Sequence, residues 1–162
     1  PSRSPSASRS STKRAGLERA EQVAVDNAHP LRTLDERTVR AAVARVLAGE
    51  GFDAQEISIV LADHATVRDL NRAWRDHDYT TDVLSFILDE EALANGFVEG
   101  EVYVDLDTAA ERAPEFGSTF EAEALRYVVH GVLHLLGLDD ATPEEKAAMH
   151  ALEDRYLAAV GR

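Results

Sequence analysis

Apolar residues in this chain follow two periods, and the alternation between them outlines the elements. Val39, Val43, Val46 and Leu47 recur at helical spacing behind Thr33-Leu34-Asp35-Glu36, which has the form of a capping box, and Gly49 and Gly51 stop the run. From Glu56 to Ala62 the period shortens to two, with Ile57, Ile59 and Leu61 on one side, as a half-buried strand requires. Thr66 opens a second helix carrying Val67, Leu70 and Trp74. Val83 to Ile87 reads as a short strand, and Glu90 to Gly100 as an acidic loop around the turn signal Asn95-Gly96. Val102 to Leu106 alternates again. Ser118-Thr119-Phe120-Glu121 is a second capping box, and its helix is expected to run to Leu136. Thr142-Pro143-Glu144-Glu145 is a third, with proline at the favoured first helical position, ahead of a helix carrying Met149, Leu152, Tyr156 and Val160. Strands interleaved with helices and closed by two more helices predict one α+β domain, a small mixed sheet with helices packed on it.

Composition narrows this picture. With 44% hydrophobic residues in 162, the chain builds one sizeable core, and no stretch approaches the roughly 20 apolar residues of a membrane span. Cysteine is absent, which excludes disulfides, thiolate metal sites and cysteine nucleophiles. The cytoplasm is the expected compartment. Residues 1–20 are rich in Ser and Arg, lack the apolar core of a secretory signal, and read as a disordered basic tail; residues 21–162 form the folded domain. The tail carries +4 and the whole chain -13, so the body carries -17. Such a body does not hold nucleic acid by broad attraction to phosphate; RNA binding would need a local basic groove, a metal or a partner surface, and DNA is not an expected partner.

The chemistry concentrates in His130-Gly131-Val132-Leu133-His134-Leu135-Leu136-Gly137-Leu138-Asp139-Asp140. Two histidines four apart share one helix face, where two imidazoles can hold one divalent cation. Gly137 suits a left-handed helix end, after which Asp139 or Asp140 can return to the same ion. A similar spacing occurs in the long zinc-peptidase motif, but that motif places a glutamate base where Gly131 stands. A second polar cluster runs from Asn71 to Phe86. In it Arg75 offers a guanidinium fork for a phosphate or carboxylate, or else merely caps its helix end, and Ser85 lines a cleft or an open strand face. Of the other histidines, His77, beside Arg75, is the best placed to face a cleft; His29, His64 and His150 read as ordinary.

Taken together, the two segments resemble the endoribonuclease YbeY family of bacterial ribosomal-RNA maturation factors. The family motif is His-Gly-x-Leu-His-Leu-x-Gly-Tyr-Asp-His, together with Leu-Asn, an arginine and Thr-Asp-Val-Leu-Ser-Phe. Here these are His130 to Asp140, Leu70-Asn71, Arg75 and Thr81 to Phe86, and Gly100-Glu101-Val102 follows in register. The resemblance covers Val23 to Tyr156. It implies a zincin-like fold with its metal site on the long helix Ser118–Leu136. It also implies hydrolysis of single-stranded RNA, maturation of the 3′ end of small-subunit ribosomal RNA, ribosome quality control, and the small ribosomal subunit as partner. The family's metal is zinc on three histidines, two of which carry over to His130 and His134. The third falls on Asp140, which leaves the site one charge less positive and harder metals more competitive. Arg75 takes the family's cleft arginine, and Asp139 is the nearest general base. Leu138 and Thr80 stand where the family has Tyr and Pro. Two rivals stay open: another metal-dependent hydrolase, and a non-catalytic ribosome assembly factor with a structural metal.

Overall fold

The computed structural model describes residues 22–75 and 82–160, except the side chains of residues 75, 159 and 160. Four strands form one mixed sheet: β1 (Val23–Asn27), β2 (Asp53–Ala62), β3 (Val83–Ile87) and β4 (Phe97–Asp105), in the order β1-β2-β4-β3. β1 and β2 run parallel, as do β2 and β4, while β3 runs antiparallel to β4, pairing Ser85 with Val102. The helices are α1 (Glu36–Glu50), α2 (His64–Arg75), α3 (Glu90–Ala94), α4 (Leu106–Arg112), α5 (Phe120–Leu135) and α6 (Pro143–Val160); a short 3₁₀ turn, Ala113–Phe116, follows α4. The expected α+β sheet-and-helix domain is the observed one.

The period-two pattern of β2 places Ile57, Ile59 and Leu61, all fully buried, on one face of the sheet. They join Val102 and Val104 of β4 and the apolar stripes of α1 (Val39, Val43, Val46, Leu47) and α5 (Val128, Val129, Val132, Leu133, Leu135) in one core. α6 closes it with Met149 and Tyr156. The opposite face is thinner: Val67 of α2 meets Ala62 and Leu84, with Leu70, Phe86 and Tyr103 at its margin.

Several boundaries differ from the sequence reading, each for a local reason. α1 is capped by Asp35, not Thr33, since the Asp35 carboxylate accepts from Thr38 N at 3.0 Å. α2 begins before Thr66, capped by Asp63, and α5 is capped by Thr119 rather than Ser118. Thr142 and Glu145 do form the reciprocal box, at 2.9 and 3.1 Å. Gly51 ends α1 in the left-handed region (φ 83°), but Gly49 lies inside the helix, where a Cβ would stand 2.2 Å from the Tyr156 hydroxyl. The acidic stretch from Glu90 is not all loop. It holds α3, capped by Asp89, and the first half of β4. Gly100 there is a packing position, because Leu135 of α5 lies across it with Cδ2 2.7 Å from where a Cβ would be.

Candidate metal centre

α5 presents its two histidines to a cleft beside β3, and Gly131 between them explains how the helix can lie so close to the sheet. A Cβ on Gly131 would come within 2.4 Å of Val102 Cγ1 and 2.9 Å of Val83 Cγ2. The Gly131 carbonyl accepts a hydrogen bond from Ser85 Oγ at 2.7 Å, fixing the helix to β3. Position 131 therefore faces the strands, and a glutamate there would be driven into the core rather than toward the histidines.

The helix ends as its sequence requires. Gly137 adopts φ 91°, its N–H reaches His134 O, and Leu138 N–H reaches Leu133 O at 3.3 Å, the paired bonds of a Schellman turn. The chain reverses and brings Asp140 back: its carboxylate oxygens lie 3.4 Å from His130 Nε2 and 3.5 Å from His134 Nε2, and the two Nε2 atoms are 2.9 Å apart. Bond lengths of about 2.1 Å in a tetrahedral zinc site separate neighbouring ligand atoms by roughly 3.4 Å. The three donors thus converge at the spacing such a centre uses, and His130, His134 and Asp140 form a group able to hold a metal ion. Asp139 does not join it. Its side chain accepts from Asp140 N at 2.8 Å, shaping the turn that delivers Asp140.

Glu153, which sequence reasoning missed, completes the arrangement. Only 2% exposed, it comes from α6 and places Oε2 2.6 Å from His130 Nδ1. That carboxylate keeps the imidazole proton on Nδ1 and leaves the Nε2 lone pair for a cation, the usual outer support of a metal-binding histidine. Arg126 holds Glu153 in turn, with Nη1 to Oε1 at 2.9 Å, and Asp154 with Nη2 at 2.6 Å. Burial works against charge on His130, but the hydrogen bond and charge of Glu153, with Asp82 and Asp140 beyond, outweigh it and hold the imidazole above its ordinary pKa. His134 is held below its own, by burial and then by the charge of His130. Burial would raise Glu153; its bonds to His130 and Arg126 prevail and keep it low.

The centre opens into a cleft of about 1700 Å³ that runs past α2, β3, α4 and α5. Ser85 lines it, as does His150, whose Nδ1 lies 3.6 Å from Glu153. Asp82 lines it too, and burial pushes its carboxyl above the usual range against the opposing charge of His130. Tyr127 contributes a buried hydroxyl with no well-formed hydrogen bond among the described residues. Among the described residues the lining has seven carboxylates against two arginines, Arg112 and Arg126, so the cleft shares the negative charge of the body. The Arg75 side chain and His77 lie outside the described residues. His29 and His64 serve the scaffold: His29 bonds Asp107 at 2.8 Å and His64 bonds Asp105 at 2.7 Å, tying the loop after β1 and the start of α2 to α4.

The sequence matches the family described as Endoribonuclease YbeY over residues 22–161. The chain belongs to the endoribonuclease YbeY family. Relatives named Endoribonuclease YbeY include one from Salinibacter ruber, 52% identical over 86% of this chain and 92% of that protein. Another, from Chlorobium phaeovibrioides, is 44% identical over 80% of this chain and 85% of its own length. The solution structure of a Thermotoga maritima protein superposes with a TM-score of 0.59 at 28% identity, covering 85% of this chain and 88% of that one. By this membership the protein is a metal-dependent endoribonuclease of the ribosomal-RNA-processing class, and RNA is its substrate class. No helix among the described residues is long and apolar enough to cross a membrane.

Proposed function

We propose that residues 21–162 are the catalytic domain of a single-strand-specific endoribonuclease that binds zinc through His130, His134 and Asp140. In this reading it acts in the cytoplasm on precursor ribosomal RNA of the small subunit, in 3′-end maturation and ribosome quality control, and DNA is not a partner. Residues 1–20 are a basic extension of that domain. The observation that carries the reading is the convergence of two Nε2 atoms and one carboxylate, at 2.9 to 3.5 Å, at the floor of an open cleft.

When bound, zinc supplies Lewis-acid charge to the scissile phosphate and acidifies water. The chain's own groups do the rest. Glu153 orients His130 and sets its tautomer. Arg75, the counterpart of the family's cleft arginine in the resemblance, is assigned here to stabilise charge on the phosphorus as the fifth bond forms. Asp82 takes the proton of the attacking water; a half-buried carboxylate with a raised pKa suits that task better than Asp139, which is exposed and bonded to its own turn.

The test is cleavage of single-stranded RNA by pure protein, with and without chelator. Cleavage is expected to vanish on chelation, to return with zinc, and to be abolished by His134→Ala. Full activity in either condition would refute the assignment of the site.

A further inference from the structure

Most large apolar side chains of this protein are buried, yet three exposed ones stand in the cleft: Trp74 (73% exposed), Phe116 (67%) and Leu88 (55%). Among the described residues, neither aromatic belongs to a hydrophobic core cluster. α2 is anchored by Val67 and Leu70, one turn or more before Trp74. The turn that ends at Phe116 buries Ala113 instead. Arg112, four residues before Phe116, lines the same cleft, where its charge also acts on Asp82.

We propose that Trp74 and Phe116 are a stacking platform for unpaired bases of the RNA whose phosphate lies at the His130–His134–Asp140 centre, with Arg112 contacting the backbone beside them. This rests on the RNA reading given above and adds the means of binding. The cleft is continuous from the metal group to both aromatics. Its lining among the described residues is acidic, so those residues do not hold a polyanion by the many Lys and Arg contacts that most nucleic-acid grooves use. What remains is uncharged attraction: every base has a π face, and stacking on an aromatic side chain is insensitive to the protein's net charge. A duplex keeps its bases stacked on one another and offers no faces to such a platform. Selection for single strands then follows from the binding surface itself. A peptide would gain from the apolar wall as well, but its amide backbone carries no charge to set against a cation at the far end of the cleft.

Trp74 is the one tryptophan of the chain, so intrinsic fluorescence reports on this position alone. The full-length protein is titrated with oligoadenylate and with an RNA duplex of equal length. This is done in chelator, and again with zinc in the first moments before turnover; filter retention of labelled oligomer measures binding independently. The single strand is expected to quench the emission and the duplex to leave it unchanged. Trp74→Ala and Phe116→Ala should each weaken retention roughly tenfold, while Trp74→Phe restores most of it. Raising salt from about 50 to about 200 mM should weaken binding less than about tenfold, because few counterions are released. Retention of oligoadenylate with unchanged emission and a wild-type affinity for Trp74→Ala would overturn the platform and leave the RNA reading standing. Failure of the zinc-loaded protein either to retain or to cleave the oligomer would overturn both. Emission that varies with protein concentration alone, with Trp74→Ala converting a dimer to a monomer, would assign the patch to self-association and overturn the platform as well.

Discussion

Removing Glu153 isolates the part of the proposed centre that lies outside His130, His134 and Asp140. The carboxylate is buried between His130 Nδ1 at 2.6 Å and Arg126 Nη1 at 2.9 Å. Glu153→Ala leaves the His130 N–H without its acceptor and frees the ring to turn. Loss of such support weakens metal binding by about 10- to 100-fold, or about 1.4 to 2.7 kcal/mol. Glu153→Gln keeps an oxygen acceptor and loses the charge, so its loss should be smaller. The pH dependence separates this account from simple unfolding. Glu153 strengthens the attraction of His130 for a proton as well as for a cation, and the imidazole pKa is raised accordingly. Above that raised pKa the ring is neutral in both proteins, and the variant shows its full loss. Below it the wild type must shed a proton that the variant holds less tightly, so the difference narrows. Competitive titration against a chromophoric zinc chelator at about pH 8 and about pH 6, on either side of the ordinary histidine value, measures both. Equal affinities of wild type and Glu153→Ala at the higher pH would refute the reasoning, as would a gap that widens on acidification.

Three further outcomes are expected. The metal-free His130–Glu153 pair stabilises the fold in a defined window: a raised histidine pKa contributes below about 6.5 and is lost as pH rises through the folded value, and a lowered Glu153 pKa contributes above about 4.3 and is lost as pH falls through its folded value. Chemical denaturation of wild type in chelator should therefore lose stability from mildly acidic to alkaline pH, a trend that Glu153→Gln flattens. Gly131→Ala gains about 1 kcal/mol of helix propensity but sets a methyl 2.4 Å from Val102 Cγ1, for a net loss of about 1–2 kcal/mol; a variant more stable than wild type would show that α5 is not seated on β3 and β4 as described. Asp105→Ala removes a fully buried acceptor of Thr108 N, Thr108 Oγ1 and His64 Nδ1 and should cost about 3 kcal/mol by denaturant titration, without changing zinc affinity.

What the sequence made legible depended on whether the signal was local. The strand β2 showed in its alternation, and the two histidines and Gly137 showed in spacing that a single helix and its end convert directly into geometry. Caps were misplaced by one to three residues where several oxygen-bearing side chains stood together, as at Thr33 and Asp35 or Ser118 and Thr119, because pattern does not say which of them turns its oxygen onto the free N–H groups. Gly100 and its acidic neighbours looked like a loop, since composition cannot show that Leu135 from a later helix will occupy the space a side chain would have filled. Glu153 was invisible for a related reason. It lies 23 residues beyond His130 and meets it only because α6 packs on α5. One sign of it was available: with Met149 four residues before and Tyr156 three after, Glu153 falls within the buried stripe of its helix, where an acid without a partner would be too costly to keep.

The acidic cleft gives the substitution at Asp140 its meaning. A divalent ion on three neutral imidazoles keeps its full double charge, whereas Asp140, as the proposed third ligand, would remove half of it. At about 4 Å and an effective dielectric near 20, one unit charge interacts with another by about 4 kcal/mol, so this exchange bears strongly on any phosphate held at the centre. Arg126, which could offset it, is already engaged by Glu153 and Asp154. Beyond what Arg75 and Arg112 supply, attraction for RNA then comes from contacts farther along the cleft that do not depend on charge, and exposed aromatics are of that kind. Asp140→His tests this division directly. It should tighten zinc, steepen the salt dependence of RNA binding, and make the loss on Trp74→Ala smaller than in the wild type. An unchanged Trp74→Ala effect in that background would mean that the two ends of the cleft do not share the work of holding the substrate.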